Sequence, residues 1–213
     1  MKLTKHEHAC VVFEKDGESI VIDPGSFSAG AGDIIAGASA ILITHEHYDH
    51  VNEEAITAAL AARPGLRVYA PSSLAGKFGA REDQFTAVSA GDSMTVSGFS
   101  VSVHGTTHAV IHPDIPVIQN VGYFVDESVY HPGDAFYVPD VRVGTLLLPT
   151  SGPWMKIGEA ADYVRAVRPD TLVQIHEMLL SDIGLGLVAN LLGKDGLTGI
   201  PLTQLPNGES VTV

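Results

Sequence analysis

Short runs of β-branched and aliphatic residues, broken by Gly, Pro and charged turns, recur along the chain, with helix-length segments between groups of them. Residues 9–14 and 19–23 flank Lys15-Asp16-Gly17-Glu18, which predicts a hairpin. A Gly/Ala/Ser-rich loop over 24–32 precedes an apolar strand at 40–44. Residues 52–62 predict a helix that stops before Pro64-Gly65. Further strands are predicted at 66–70, 86–88, 93–96 and 99–103, and two more within 121–130 around Asp126-Glu127-Ser128. Residues 146–148 read as a buried strand ended by Pro149. Ile157, Ala160, Ala161, Val164 and Val167 then recur at helical spacing ahead of Pro169. A core strand at 171–175, a helix at 183–192 and an edge strand at 209–213 complete the pattern. No linker, charge run or short-period repeat interrupts it, so 1–213 reads as one mixed α/β domain.

Composition narrows the function classes. A chain of 213 residues suits one sizeable domain and is too short for two comfortable ones. The formal net charge of −13, from 12 Lys plus Arg against 25 Asp plus Glu, disfavours a nucleic-acid partner, which needs a basic surface. No apolar run is long enough for a membrane span. The N-terminal residues lack the apolar core and cleavage site of a signal peptide, and Cys10 is the single cysteine. A reducing cytoplasm is therefore the expected location. Cys10 sits in an apolar run and reads as a buried, inert thiol.

The chemistry concentrates in His45-Glu46-His47-Tyr48-Asp49-His50, placed between the strand at 40–44 and the helix at 52–62. Imidazole nitrogens and carboxylate oxygens on a turn at a strand end converge readily on a zinc, manganese or iron ion. The four ligand side chains of this run cannot close two coordination spheres, so more ligands are expected just past other strands. His108 after Gly105, Asp134 after Gly133 and His176 after the strand at 171–175 occupy such places. His104 and His112 lie in the same region as His108 and compete with it; His108, just beyond a Gly-containing turn, is preferred. His8 and His131 lie near these elements and are read as supporting residues, each as easily structural as catalytic, while His6 is expected to be exposed. The segment 150–156 reads as a substrate-facing wall, with Trp154 to stack on a substrate and Lys156 to pair with an anionic group. The bland reading makes Trp154 a packing residue and Lys156 a solvated one.

The order of these motifs resembles the metallo-β-lactamase-fold hydrolase superfamily, on Asp23 in Val21-Ile22-Asp23-Pro24-Gly25, the run from His45 to His50, a downstream His, Gly133-Asp134 and His176. Within it, the short chain and Tyr130-His131 before Gly133-Asp134 look most like small bacterial lactonase-like, metal-dependent hydrolases. The stretch after His176 is too short for the helical substrate domain of glyoxalase II enzymes, and no inserted basic arm of the tRNA-processing kind is present. The resemblance implies a four-layer αββα sandwich with metals at one edge. It implies that His45, His47 and His108 hold one ion, that Asp49, His50 and His176 hold a second, and that Asp134 bridges them. Asp23, with His8 and His131, would support the ligands from behind. The implied cofactor is one or two Zn²⁺ per chain, with Mn²⁺ or Fe²⁺ as substitutes. The implied activity is hydrolysis of a small ester, lactone, amide or phosphodiester by a metal-bound hydroxide, with Asp49 taking the proton. Lys156 tips that expectation toward anionic substrates. The alternative is an iron-dependent oxygenase of the same superfamily acting on a sulfur compound.

Overall fold

A strand that is apolar at every position has to be covered on both faces, because successive side chains point to opposite sides. The computed structural model, which describes residues 1–213, is built that way. The first sheet takes β1 (Lys2–Lys5), β2 (Val11–Lys15), β3 (Glu18–Ile22), β4 (Ala40–Leu42), β5 (Arg67–Ala70) and β6 (Phe85–Ala87). The second takes β7 (Ser93–Val96), β8 (Phe99–His104), β9 (Gly122–Val125), β10 (Val129–His131), β11 (Thr145–Pro149), β12 (Thr171–Ile175) and β13 (Leu202–Thr203). A last strand, β14 (Ser210–Thr212), returns to the first sheet beside β1.

The strand orders are β14-β1-β2-β3-β4-β5-β6 and β13-β12-β11-β10-β9-β8-β7. The two sheets repeat one plan. From β14 to β3 and from β7 to β10 neighbours run antiparallel, and from β3 to β6 and from β10 to β13 they run parallel. Between the sheets, Ile20 and Ile22 of β3 meet Leu42, Phe99, Tyr123, Leu147 and Val173. Val21 and Ile41 point the other way, into a second core under α1 (Ala31–Gly37) and α2 (Glu53–Ala62), closed by Ile35, Ile56 and Leu60. On the far side Leu146, Leu148 and Leu172 pack beneath α3 (Ile157–Val167) and α4 (Asp182–Leu192). The result is the expected αββα sandwich. No helix is long and apolar enough to cross a membrane.

Helix starts follow local chemistry. The Asn52 side chain accepts the Ala55 amide at 3.0 Å and caps α2, and the Ser181 hydroxyl accepts the Gly184 amide at 3.4 Å at the head of α4. Three elements are absent from the sequence reading. The segment Lys2-Leu3-Thr4-Lys5 has one aliphatic side chain in four, yet pairs with both β2 and β14 and buries Leu3 in the central core. Helix α1 carries two glycines and follows a Gly-rich loop, so its helicity comes from packing Ile35 rather than from propensity. Strand β13 is a two-residue addition beside β12.

Candidate metal centre

The loops that leave β3, β4, β10 and β12 all open at one edge of the sandwich. They carry Asp23, the run from His45 to His50, Asp134 and His176, and the segment after β8 adds His108. Two groups of ligand-type atoms result, each lying within 4.8 Å of one another: His45, His47, His108 and Asp134 in one, and His8, Asp49, His50 and His176 in the other. Asp134 joins the two. Its Oδ1 lies 3.1 Å from His50 Nε2, and its Oδ2 lies 3.1 Å from His176 Nε2 and 3.4 Å from His108 Nε2.

Several rings are fixed from behind so that one nitrogen lone pair faces inward. Asp23 Oδ2 accepts from His50 Nδ1 at 2.7 Å and from the Thr44 hydroxyl at 2.7 Å, while Asp23 Oδ1 accepts the Thr44 amide at 2.8 Å. Because the Thr44 hydroxyl is spent on Asp23, the 2.9 Å contact at His45 Nδ1 is a donation from the ring to Thr44 Oγ1. His108 Nδ1 donates to the Ala109 carbonyl at 2.6 Å. All three rings therefore carry their proton on Nδ1 and offer Nε2 to the centre, the arrangement in which an outer partner sets the tautomer of a metal ligand. Nε2 of His50, His108 and His176 and Oδ1 of Asp134 are buried with no hydrogen-bond partner of good geometry. Unpartnered buried polar atoms are costly unless something binds them. Nitrogen and carboxylate donors converging in two abutting groups fit a pair of zinc-like ions.

Charge follows from the same contacts. His45 is pushed well below its ordinary range by burial and by His50. Burial also opposes a charge on His50, but Asp134 and Asp23 outweigh it and hold the imidazole well above its ordinary value. Asp134 is kept well below the usual carboxylate range: burial pushes it up, and His50 and His176 overcome that. Asp49 is lowered to about 2, the His8 hydrogen bond and His50 prevailing over burial. His8 itself is lowered to about 4 by burial, against the pull of Asp49. Without an ion, Asp134 and Asp23 favour a second proton on His50, at Nε2, and a metal taking that atom must displace it. Uptake by chelator-treated protein at neutral pH should therefore release about one proton per chain, and apparent affinity should fall as pH falls. Calorimetric titrations in buffers of different ionisation enthalpy measure this; identical heats in all of them would contradict the His50 assignment.

The remaining sequence candidates separate. His104 ends β8, bonds the Ser102 hydroxyl at 3.0 Å and rests against Phe124 and Tyr130, away from the centre. His112 is exposed beside Asp114. His131 donates from Nε2 to the Ala9 carbonyl at 2.9 Å and accepts the Gly133 amide at Nδ1, so both nitrogens are used. His8, read as a supporting residue, stands within the second ligand group, with Nε2 3.0 Å from Asp49 Oδ2. His6 is half-buried rather than exposed. Burial lifts the Cys10 thiol to about 12, consistent with an inert core residue.

Trp154 and Lys156 part company. Trp154 is buried, lines the cavity above the ligand groups and donates from Nε1 to Asp134 Oδ2 at 2.7 Å. It grips a carboxylate as well as forming a wall. Lys156 corrects the expectation of an anion-binding residue: its ammonium is exposed, 3.5 Å from Glu159, and does not line the cavity, because it stands at the outward-facing head of α3. Replacing Trp154 by Phe keeps the ring and removes the donor. Metal affinity should fall about tenfold, the low end for an outer partner of a ligand. Competition with a chromogenic chelator reads this, and an unchanged affinity would show the bond to be incidental.

Other residues that shape the site were not singled out from the sequence. The Asn120 side chain accepts the Asp134 amide at 3.0 Å and donates to the Pro132 carbonyl, holding the turn that presents Asp134. That turn needs Gly133 at φ +63°, where a Cβ would collide with Asn120 and Thr44. At Gly25 a Cβ would overlap the Asp49 carbonyl, so only glycine lets the loop after β3 abut the run from His45 to His50. His8, Asp23 and His176 all adopt positive φ, at 61°, 52° and 59°. Left-handed backbone at a non-glycine costs about 1–3 kcal/mol and is retained where the surroundings demand it. Here the His176 amide is bonded to the His8 carbonyl at 2.9 Å. Gly-Asp and Val-Ile-Asp-Pro-Gly were visible as motifs; Asn120 had no local signal.

The cavity over the ligand groups has a volume of about 630 Å³. His47, Asp49, His108, Asp134 and His176 form its floor, and Phe27, Tyr48, Ile111, Pro153, Trp154 and Leu179 form its walls.

Comparison with known proteins agrees with this architecture. Residues 2–176 match the model of the beta-lactamase superfamily domain. Protein Rv0786c of Mycobacterium tuberculosis is 38% identical over 217 aligned residues, covering 100% of both chains. A metal-dependent hydrolase of Myxococcus xanthus is 29% identical, covering 97% of this chain and 78% of its own. Among solved structures, a metallo hydrolase from the archaeon Ignicoccus hospitalis superposes with a TM-score of 0.74 at 22% identity, covering 99% of this chain and 97% of that one.

Proposed function

We propose, from the premise that this chain belongs to the beta-lactamase superfamily, that it is a binuclear metal-dependent hydrolase acting on a small carbonyl substrate. The observation that carries the reading is the pair of abutting His/Asp groups on the floor of a cavity large enough for a small molecule. His45, His47, His108 and Asp134 would hold one ion, and Asp49, His50 and His176 the other, with Asp134 facing both. Zinc suits the donor set best. Two such ions would supply an activated water at neutral pH and a counter-charge for the developing oxyanion.

The protein's own groups account for the rest. Asp49 lines the cavity with its Oδ2 fixed by His8 Nε2, so an anionic carboxylate stands ready to accept the proton of the attacking water. Asp134 is held by Trp154 and by the Asn120-gripped backbone, which keeps it from swinging away. His50 is anchored on Asp23 at the back of the site. Phe27, Tyr48 and Leu179 border the entrance and exclude bulk water from one side of a bound substrate.

Elemental analysis after zinc or manganese reconstitution, followed by assay on a panel of esters and lactones, tests this reading. One to two equivalents of metal and turnover abolished by chelator are expected. Less than half an equivalent of any transition metal would overturn it. Stoichiometric iron with oxygen uptake on a thiol substrate, and no ester turnover, would replace it with the oxygenase alternative. A small-molecule rather than nucleic-acid partner accompanies the proposal, on the acidic net charge of −13, and a cytoplasmic location accompanies it on the single cysteine.

A further inference from the structure

We infer that the cavity selects a neutral substrate with an apolar tail, and that Phe27, Tyr48, Ile111 and Leu179 are the residues that set this preference. The inference rests on the hydrolase reading and narrows its substrate class; it reverses the expectation of an anionic substrate.

The charge inventory is the first ground. No Lys or Arg lines the cavity. The lysines that stand near the site in the chain or in space are each engaged by a carboxylate: Lys5 with Glu177, Lys77 with Glu46 and Lys156 with Glu159. Carboxylate and phosphate groups are recognised by basic forks or ammonium groups, and none reaches this pocket. The floor contributes Asp49 and Asp134, and the chain as a whole carries −13. Two divalent ions would be offset by those carboxylates, by Asp23 behind His50 and by the hydroxide, so the reacting end of a substrate meets a balanced centre. A charged tail beyond it would meet an acidic protein with no partner.

The walls are the second ground. Phe27 and Tyr48 contact edge to face, with ring centroids 5.4 Å apart, and Trp154 presents its ring from the opposite loop. Tyr48 is 66% exposed and Leu179 58% exposed. Their chain neighbours Val110, next to Ile111, and Met178, next to Leu179, are exposed apolar side chains as well. Large apolar side chains gathered at the mouth of a site and left in water mark a surface that something apolar covers. These four wall residues come from four separate loops and touch none of the atoms that would hold metal through hydrogen bonds of their own.

Trp154 is the only tryptophan and lines the cavity, so its fluorescence reports occupancy without turnover. The zinc-loaded protein is titrated with 2-octanone and, separately, with 7-oxooctanoate, a ketone of the same length ending in a carboxylate. The neutral ketone should bind at least about tenfold more tightly, since only it can bury its terminal methylenes against the walls. Equal or tighter binding of the carboxylate overturns the inference, and so does the absence of any fluorescence change with either ketone. Leu179→Lys, at an exposed position that the fold does not need, should narrow the preference at least about threefold while circular dichroism stays unchanged; an unchanged ratio removes Leu179 from the selecting set. Hydrolysis of 4-nitrophenyl octanoate and of its suberate half-ester is followed in parallel. Ketone discrimination without turnover of either ester would defeat the hydrolase reading alone, whereas faster turnover of the half-ester would defeat the neutral-substrate inference alone.

Discussion

Asp134→Ala should cost the protein at least about a hundredfold in activity and leave less than one equivalent of metal bound, while the sandwich stays folded. Outer partners of ligands are worth ten- to a hundredfold, and Asp134 faces both ligand groups directly. Its removal would leave two bound cations without the carboxylate that faces both groups, and their mutual repulsion would go uncompensated. It also strips Trp154 Nε1 of its acceptor. The three cores hold none of the ligands, so folding does not depend on the ions as it does in a zinc finger. Elemental analysis, turnover and thermal melting of the same sample check all three statements. Full metal content in the variant would remove Asp134 from its bridging role, and a melt without a cooperative transition would show that it serves the fold.

The largest effect on stability should come from the pair Lys5 and Glu177. Lys5 is a strand residue only 2% exposed, with its ammonium 2.5 Å from Glu177 Oε1 and bonded also to the His6 carbonyl at 2.6 Å. The same Glu177 oxygen accepts the His8 amide at 3.2 Å. Glu177→Ala leaves a buried cation alone, which costs about 3–5 kcal/mol. For a chain of this size that is a fall in melting temperature of about 10 °C. Lys5→Met combined with Glu177→Leu replaces the ion pair by packed aliphatic groups and should recover most of the loss. Differential scanning calorimetry on chelated protein makes the comparison. A shift of only a degree or two for Glu177→Ala would mean that water reaches the ammonium and the pair is a surface feature. A further readout is metal affinity at the second group, because the pair fastens the turns that carry His8 and His176.

That ion pair also shows where sequence reading stops. The strands at 19–23, 40–44 and 171–175 were legible because continuous β-branched runs have one plausible use, burial on both faces. The run from His45 to His50 and the Gly133-Asp134 step were legible because their chemistry lies within a few residues. Lys5 was not, since a lysine at a chain start looks solvated until the partner 172 positions away is known. Helix α1 was missed because two glycines in seven residues argue against helix, and only the buried Ile35 secures it. Lys156 misled for the opposite reason: a cation after a strand-end loop looks site-facing, and the turn into α3 points it outward. The cavity walls gather from loops at 27, 48, 111 and 179, and no one-dimensional pattern links those positions.

The repeated plan of the two sheets bears on how such a site comes into being. His45, His47 and Asp49 leave the first sheet, whereas His108, Asp134 and His176 leave the second. Each ligand group draws on both, so neither half-molecule owns a complete coordination sphere. Split between β6 and β7, the chain would yield two fragments that bind metal poorly apart and well together. Metal capture then becomes a census of correctly mated halves: an ion held tightly certifies that both sheets have docked in register, and a misassembled chain carries no ion and does no chemistry.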